Sequence, residues 1–211
     1  GNKTLRLLAG SMLTMDYKPF EVECARKGKT IEVDYRIDNV TDYTEPVITI
    51  SSASGDSFVG LNIYADEIIM HSQSLKNEDI QSLHTFEGKR TRLALTILPD
   101  AYGSSGFNLC ILYVNGVKNR EFTYESNDYF AHSGGIVIGS EYADVDIYGI
   151  RVYDSGLTSQ GVMTNYINWL SDINEKTAAK ANNDIFDSNG SEIDFENTKD
   201  QFNVIVYDNT I

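Results

Sequence analysis

Up to Tyr153 the chain is built from short runs in which apolar and polar residues alternate, separated by clusters of Gly, Asp, Asn and Ser. Ile31, Val33, Tyr35 and Ile37 share one side of such a run, with Glu32, Asp34 and Arg36 on the other. Leu93, Leu95 and Ile97 repeat the arrangement, interleaved with Arg92, Ala94 and Thr96. Successive side chains of a strand leave opposite faces of a sheet, so this period predicts antiparallel β-structure around a shared core. Further strands are predicted over Phe20–Ala25, Val47–Ser51, Gly60–Tyr64, Glu67–His71, Asn108–Val114, Val117–Thr123 and Ile136–Gly139. Asn115-Gly116 between two apolar runs is the favoured two-residue type I′ hairpin turn. Ala65-Asp66 and Arg26-Lys27-Gly28-Lys29 fit other tight turns. Asn77–Leu83 is short and polar and reads as a loop or a single helical turn.

The period changes once, after Tyr153. Within Asp144–Tyr153, alternation places Tyr148, Ile150 and Val152 on one face and Ile147 and Tyr153 on the other, as in a strand covered on both sides. Asp154-Ser155-Gly156 then breaks the run. Thr158 is placed to cap a helix, its hydroxyl accepting from a first-turn N–H. Val162, Tyr166 and Leu170 form a stripe that Met163 and Ile167 widen, so the helix is expected to lie flat on a sheet. Gly161 stands where a Glu would complete a capping box.

Leu112-Tyr113-Val114-Asn115-Gly116, then Ile147-Tyr148-Gly149-Ile150-Arg151-Val152-Tyr153-Asp154, then Leu157-Thr158-Ser159-Gln160 resemble the end of a laminin-G-like jelly roll of the concanavalin A-like lectin/glucanase superfamily. The resemblance covers about residues 1–170. It implies an all-β antiparallel sandwich of two curved sheets with one short helix near Thr158–Leu170. It also implies rim loops that in many relatives bind sugars, sometimes with Ca²⁺, while other relatives serve as spacers or protein-binding modules. Arg151 and Leu157 match framework positions of that pattern. After Leu170 the chain turns polar: residues 171–192 read as a linker, and 193–211 as a short β appendage or the start of a following module. With the last residue four beyond Tyr207, the expectation is a fragment of a larger multidomain protein.

Charge narrows the partners. Seventeen Lys and Arg against 31 Asp and Glu give a net charge of −14. The electrostatic footprint for nucleic acid or anionic lipid is therefore missing, and no apolar run has the length of a membrane span. Asp38, Asp42, Asp56, Asp66, Asp144 and Asp146 sit in or beside predicted loops, where hard oxygen ligands could converge on Ca²⁺. No cofactor is required by any motif, and Ca²⁺ stays an open alternative to ordinary turn aspartates. His71, His84 and His132 lack paired zinc spacing. Cys24 and Cys110 both lie in apolar runs, where a thiol packs as a small hydrophobe; a bridge would need their strands to face each other.

Two constellations carry candidate chemistry. Glu192-Ile193-Asp194-Phe195-Glu196 would set three carboxylates on one strand face, resembling the catalytic triplet of laminarinase and lichenase glycosidases, which need two carboxyls roughly 5–5.5 Å apart. Its position after the linker, with fifteen residues remaining, and the presence of a single Trp, Trp169, favour a solvated acidic edge instead. Sugar binding needs exposed aromatic faces beside polar partners, and Tyr43, Tyr102, Tyr129 and Tyr142 are the loop tyrosines that could supply them. The leading expectation is a non-catalytic recognition module for carbohydrate, extracellular or on a cell or virion surface. A structural or protein-interaction module, such as a spacer or phage tail component, is the alternative, with a glycoside hydrolase more distant.

Overall fold

The computed structural model describes residues 4–21, 26–54, 57–71, 80–83, 86–104, 106–125, 133–172, 185–186 and 192–193. They form an all-β sandwich with one α-helix. The strands are β1 (Leu5–Leu7), β2 (Leu13–Met15), β3 (Lys29–Asp38), β4 (Ile48–Ser54), β5 (Ser57–Ile63), β6 (Glu67–His71), β7 (Ile80–Leu83), β8 (Arg90–Leu98), β9 (Phe107–Val114), β10 (Val117–Glu125), β11 (Ser133–Ile138) and β12 (Asp144–Tyr153), with the helix α1 at Ser159–Asp172 and a small hairpin of β13 (Ile185–Phe186) and β14 (Glu192–Ile193). One six-stranded sheet runs β1-β12-β3-β8-β9-β10, the other β2-β11-β4-β5-β6-β7. Every strand pairing is antiparallel.

The core lies where the alternation placed it. Ile31, Val33, Tyr35 and Ile37 of β3 and Leu93, Leu95 and Ile97 of β8 meet Ile48 and Ile50, Leu61 and Ile63, and Ile136 and Ile138 from the second sheet. Each such side chain contributes about 1.5–3 kcal/mol on leaving water. The Asn115-Gly116 turn forms as expected, with φ of 50° and 80°.

Four local expectations change. Phe20 and Glu21 are a turn and a bend rather than strand, and Phe20 serves as a core plug, edge-on to Tyr124 at 5.5 Å; residues 22–25 lie outside the described residues. Ile80–Leu83 is a strand pairing with β6, not loop or helix. β1 and β2, three residues each, carry too little alternation to be read locally; they exist because they pair with β12 and β11. In β12 the register shifts between Ile147 and Gly149. This bulge turns the strand over: Ile147 and Ile150 face the core, while Tyr148 lies outside against Arg90.

The helix begins as read, the Gly161 N–H donating to Thr158 Oγ1 at 3.1 Å. Its buried stripe is Val162, Tyr166 and Trp169, whereas Ile167 is half exposed. The helix also runs on to Asp172, two residues past the expected boundary. No helix among the described residues is long and apolar enough to cross a membrane.

Candidate functional site

The outward half of the β3 alternation, Thr30, Glu32 and Asp34, would ordinarily meet solvent. Here Glu32 is 2% and Asp34 6% exposed, because α1 lies over them. A second apolar cluster seats the helix: Ala94, Ile111, Tyr113 and Val162, with Leu98, Leu109 and Leu157 packed beside them. Leu157 N–H donates to Thr30 Oγ1 at 2.9 Å, and the hydroxyls of Tyr113 and Ser159 are 3.0 Å apart. Leu157, bonded to Thr30 and packed in this cluster, thus fixes the helix start against β3.

Buried carboxylates persist only when paired and hydrogen-bonded. Arg90 donates to both oxygens of Asp34, at 3.0 and 2.6 Å, and the Trp169 indole N–H donates to Asp34 Oδ2. Arg92 Nη2 donates to Glu32 Oε2 at 2.5 Å, and the Tyr153 hydroxyl donates to the same oxygen at 2.9 Å. Asn165 Nδ2 reaches Glu32 Oε1 and the Tyr153 oxygen, each at 3.1 Å. Burial pushes the Tyr153 phenol up from its ordinary pKa, and the Glu32 carboxylate adds to the shift, so the phenol keeps its proton and remains a donor. Arg90 stacks on Tyr148 at 3.8 Å and on Trp169 at 4.9 Å, and Arg92 lies 5.5 Å from the Trp169 ring. Trp169 and Asn165 of α1 therefore join the helix to two acid–guanidinium pairs that lie within the sheet, between β3 and β8.

Beside these pairs a cleft of about 110 Å³ opens between α1 and the sheet, lined by Arg92, Arg151, Tyr153, Asn165, Asn168 and Trp169. Arg92 is only 3% exposed, and its Nη1 has no hydrogen-bond partner among the described residues. Arg151 Nη1 stands 3.9 Å from Glu32 Oε2, with its side chain 53% exposed. Two guanidiniums thus face one carboxylate at this cleft, in a chain whose net charge is −14. Chemically, the arrangement offers fixed N–H donors, a phenol and amide groups beside the only indole of the chain.

The loop tyrosines do not converge. Tyr43 donates to Glu87 Oε2 at 2.8 Å, and the Tyr142 carbonyl accepts from Thr41, so these two share one rim. Tyr102, 76% exposed, follows the far end of β8, and its hydroxyl reaches Glu121 at 3.4 Å. Strand register puts Asp38 beside Asp144 and Lys29 beside Ile97, so Tyr102 is at the opposite rim from Tyr43 and Tyr142. Tyr129 lies outside the described residues.

Among the calcium candidates, Asp38, Asp144 and Asp146 come together, but Arg6 and Arg36 stand between them: Arg6 pairs with Asp144 at 3.0 Å and Asp146 at 3.6 Å, Arg36 with Asp38 at 2.7 Å and Asp146 at 3.3 Å. Asp42 accepts from the Thr44 N–H in its own turn, Asp66 lies in the turn before β6, and Asp56 is outside the described residues. Among the described residues, no three acidic, His or Cys side chains are grouped to hold a metal ion. Of the carboxylate triplet, Glu192 falls in β14; Asp194 and Glu196 lie outside the described residues. Cys110 is a free, buried thiol, and Cys24 lies outside the described residues.

No protein-family model and no curated protein matches the chain. Solved structures do. The receptor binding domain of botulinum neurotoxin C/D mosaic serotype matches at 15% identity and a TM-score of 0.54, over 90% of this chain and 46% of that one. The binding domain of botulinum neurotoxin serotype D matches at 15% identity and a TM-score of 0.52, with the same two coverages. The receptor binding domain of botulinum neurotoxin D matches at 16% identity and a TM-score of 0.52, over 90% and 47%. At such identities the likeness is one of fold, and the chain spans about half the length of these structures.

By sequence pattern Arg151 is a framework residue, and a single Trp offers no Trp-lined cleft. Two signals bore on the site: the acids of β3 and the bases of β8 occupy the outward half of neighbouring alternations, and an amphipathic helix follows. What the sequence could not show is that Trp169 and Asn165 come down onto those charges.

Proposed function

We propose that the chain is a non-catalytic recognition module whose ligand is a carbohydrate or glycoconjugate, acting as one part of a longer extracellular or surface protein. The observation that carries this reading is the α1 cleft, where Arg92 Nη1 is a buried donor without a hydrogen-bond partner among the described residues. A buried unpaired N–H costs about 1–3 kcal/mol, which an oxygen-rich ligand recovers on binding. Sugars suit the lining because their hydroxyls and acid groups demand fixed polar partners, while an indole and a phenol flank the ring. Glu32 and Asp34, the carboxylates nearest the cleft, are each committed to a guanidinium, which supports binding rather than acid–base catalysis. The fold likeness to halves of receptor binding domains is in keeping with this reading.

Titration of Trp169 fluorescence with a panel of acidic and neutral oligosaccharides tests it. Saturable changes are expected for at least one class. A panel without any response, repeated by calorimetry, would remove the proposal.

A second reading, docking onto a neighbouring domain, is favoured by one corner. Leu5, Leu8 and Met12, each at least half exposed, cluster along and after β1, an edge strand. Stability that rises by several degrees only when the adjoining part of the full protein is present would favour this reading over the first.

A further inference from the structure

Resting on that recognition reading, we infer that the α1 cleft selects an acidic saccharide, with the acid group of one sugar seated on Arg92 Nη1 and Arg151. Four observations converge. Arg92 is held rigid by its Glu32 bond and by the Trp169 ring, so its remaining Nη1 donor is fixed in place without a protein acceptor among the described residues. Arg151, on the same outward face of β12 as Tyr153, brings a second guanidinium to the same cleft. Glu32 neutralises one of the two cations, which leaves a local excess of one positive charge. The rest of the chain is strongly acidic, so this excess is a local exception and not part of a general basic field.

A neutral hydroxyl could accept from Arg92 Nη1 but would leave the second cation unused. A carboxylate or sulfate satisfies both, since bonds between guanidinium and an anionic oxygen are roughly twice as strong as neutral ones. Size sets the rest. About 110 Å³ admits an acid group and part of one ring, well below the roughly 300–1,000 Å³ of sites that enclose a drug-sized ligand. The ligand is therefore a terminal or protruding acidic sugar, held weakly per site, and not an oligosaccharide threaded through a tunnel. Asn165 orients the cleft from the helix side, because among the described residues its Nδ2 is spent on Glu32 and Tyr153, which leaves its amide oxygen as the group to accept from a ring hydroxyl.

The test titrates the whole chain with three oligosaccharides of equal length: one bearing hexuronate, one bearing sulfate, one neutral. Readouts are Trp169 fluorescence and calorimetry. Hexuronate or sulfate is expected to bind at least tenfold more tightly than the neutral sugar, and the two acidic arms identify which acid group is preferred. Arg151→Gln, at a position whose side chain is 53% exposed, is expected to weaken acidic-sugar binding about tenfold. Arg120→Gln, the same charge change on exposed β10, should leave binding within twofold. Arg92→Lys keeps the charge but loses the forked donor, and its binding is compared only after its melting temperature is shown to be close to the parent's. Neutral sugar bound as well as acidic, or Arg151→Gln without effect, overturns this inference while leaving the recognition reading standing. No binding in any arm overturns both.

Discussion

The indole N–H of Trp169 donates to Asp34 Oδ2, tying the last turns of α1 to the middle of β3 across 135 residues of chain. Asp34 already carries the two bonds from Arg90. Trp169→Phe keeps a ring against Tyr166 and Arg90 but removes one donor from a buried carboxylate. The expected loss of stability is about 1–3 kcal/mol, read from urea unfolding followed by circular dichroism. A variant as stable as the parent would mean that helix docking does not depend on this bond.

Gly116 has φ of 80°, and a Cβ placed on it would lie 2.9 Å from the Tyr166 ring. Backbone strain and close approach act at one position. Gly116→Ala should therefore cost about 1–3 kcal/mol. Comparing it with Tyr166→Ala and the double variant separates the causes: if crowding dominates, the double variant is more stable than the sum of the two losses predicts. Strict additivity would assign the cost to the turn alone.

These two contacts show what could be read in advance. The turn at Asn115-Gly116, the strand at Ile31–Ile37 and the cap at Thr158 are local, decided by residues within a few positions of one another, and each formed as expected. Features decided through space were not legible. The bulge before Gly149 reverses the faces of β12 and sends Tyr148 outside with Arg90, which no alternation rule anticipates. Ile167 fitted the helix stripe, yet Trp169 is the residue that packs, because Asp34, Arg90 and Arg92 offer it a polar and cationic seat. The cleft inherits this limit. Its six lining residues come from β8, β12 and α1, more than seventy-five positions apart at the extremes.

Cys110 is fully buried on β9, and burial pushes its thiol well above the usual range. A thiolate is the reactive form, so the native protein should resist alkylation at this position. Mass spectrometry of the peptide carrying Cys110 after iodoacetamide treatment is expected to show negligible labelling without denaturant and complete labelling in strong urea. Rapid labelling of the native chain would show that β9 opens far more often than its pairing on both sides, with β8 and β10, allows.

Asp144 accepts from Asn39 Nδ2, from the Ala9 N–H and from Arg6, and these bonds hold its carboxyl below the ordinary carboxylate range. Because the folded-state pKa is the lower one, the stabilisation is complete above the ordinary value of about 3.9. It fades as the pH falls from there through the depressed folded value. Arg6 lies within β1 and Ala9 two residues beyond its end, so the affected region is the pairing of β1 with β12. Asp144→Asn is expected to lower the melting temperature at pH 6 to 8, with the gap from the parent narrowing below about pH 4 as the parent's own carboxylate is protonated. Melting curves of both proteins from pH 3 to 8 decide the matter. A gap that stays constant into acid, or widens, would show that the Asp144 charge is not what ties β1 down.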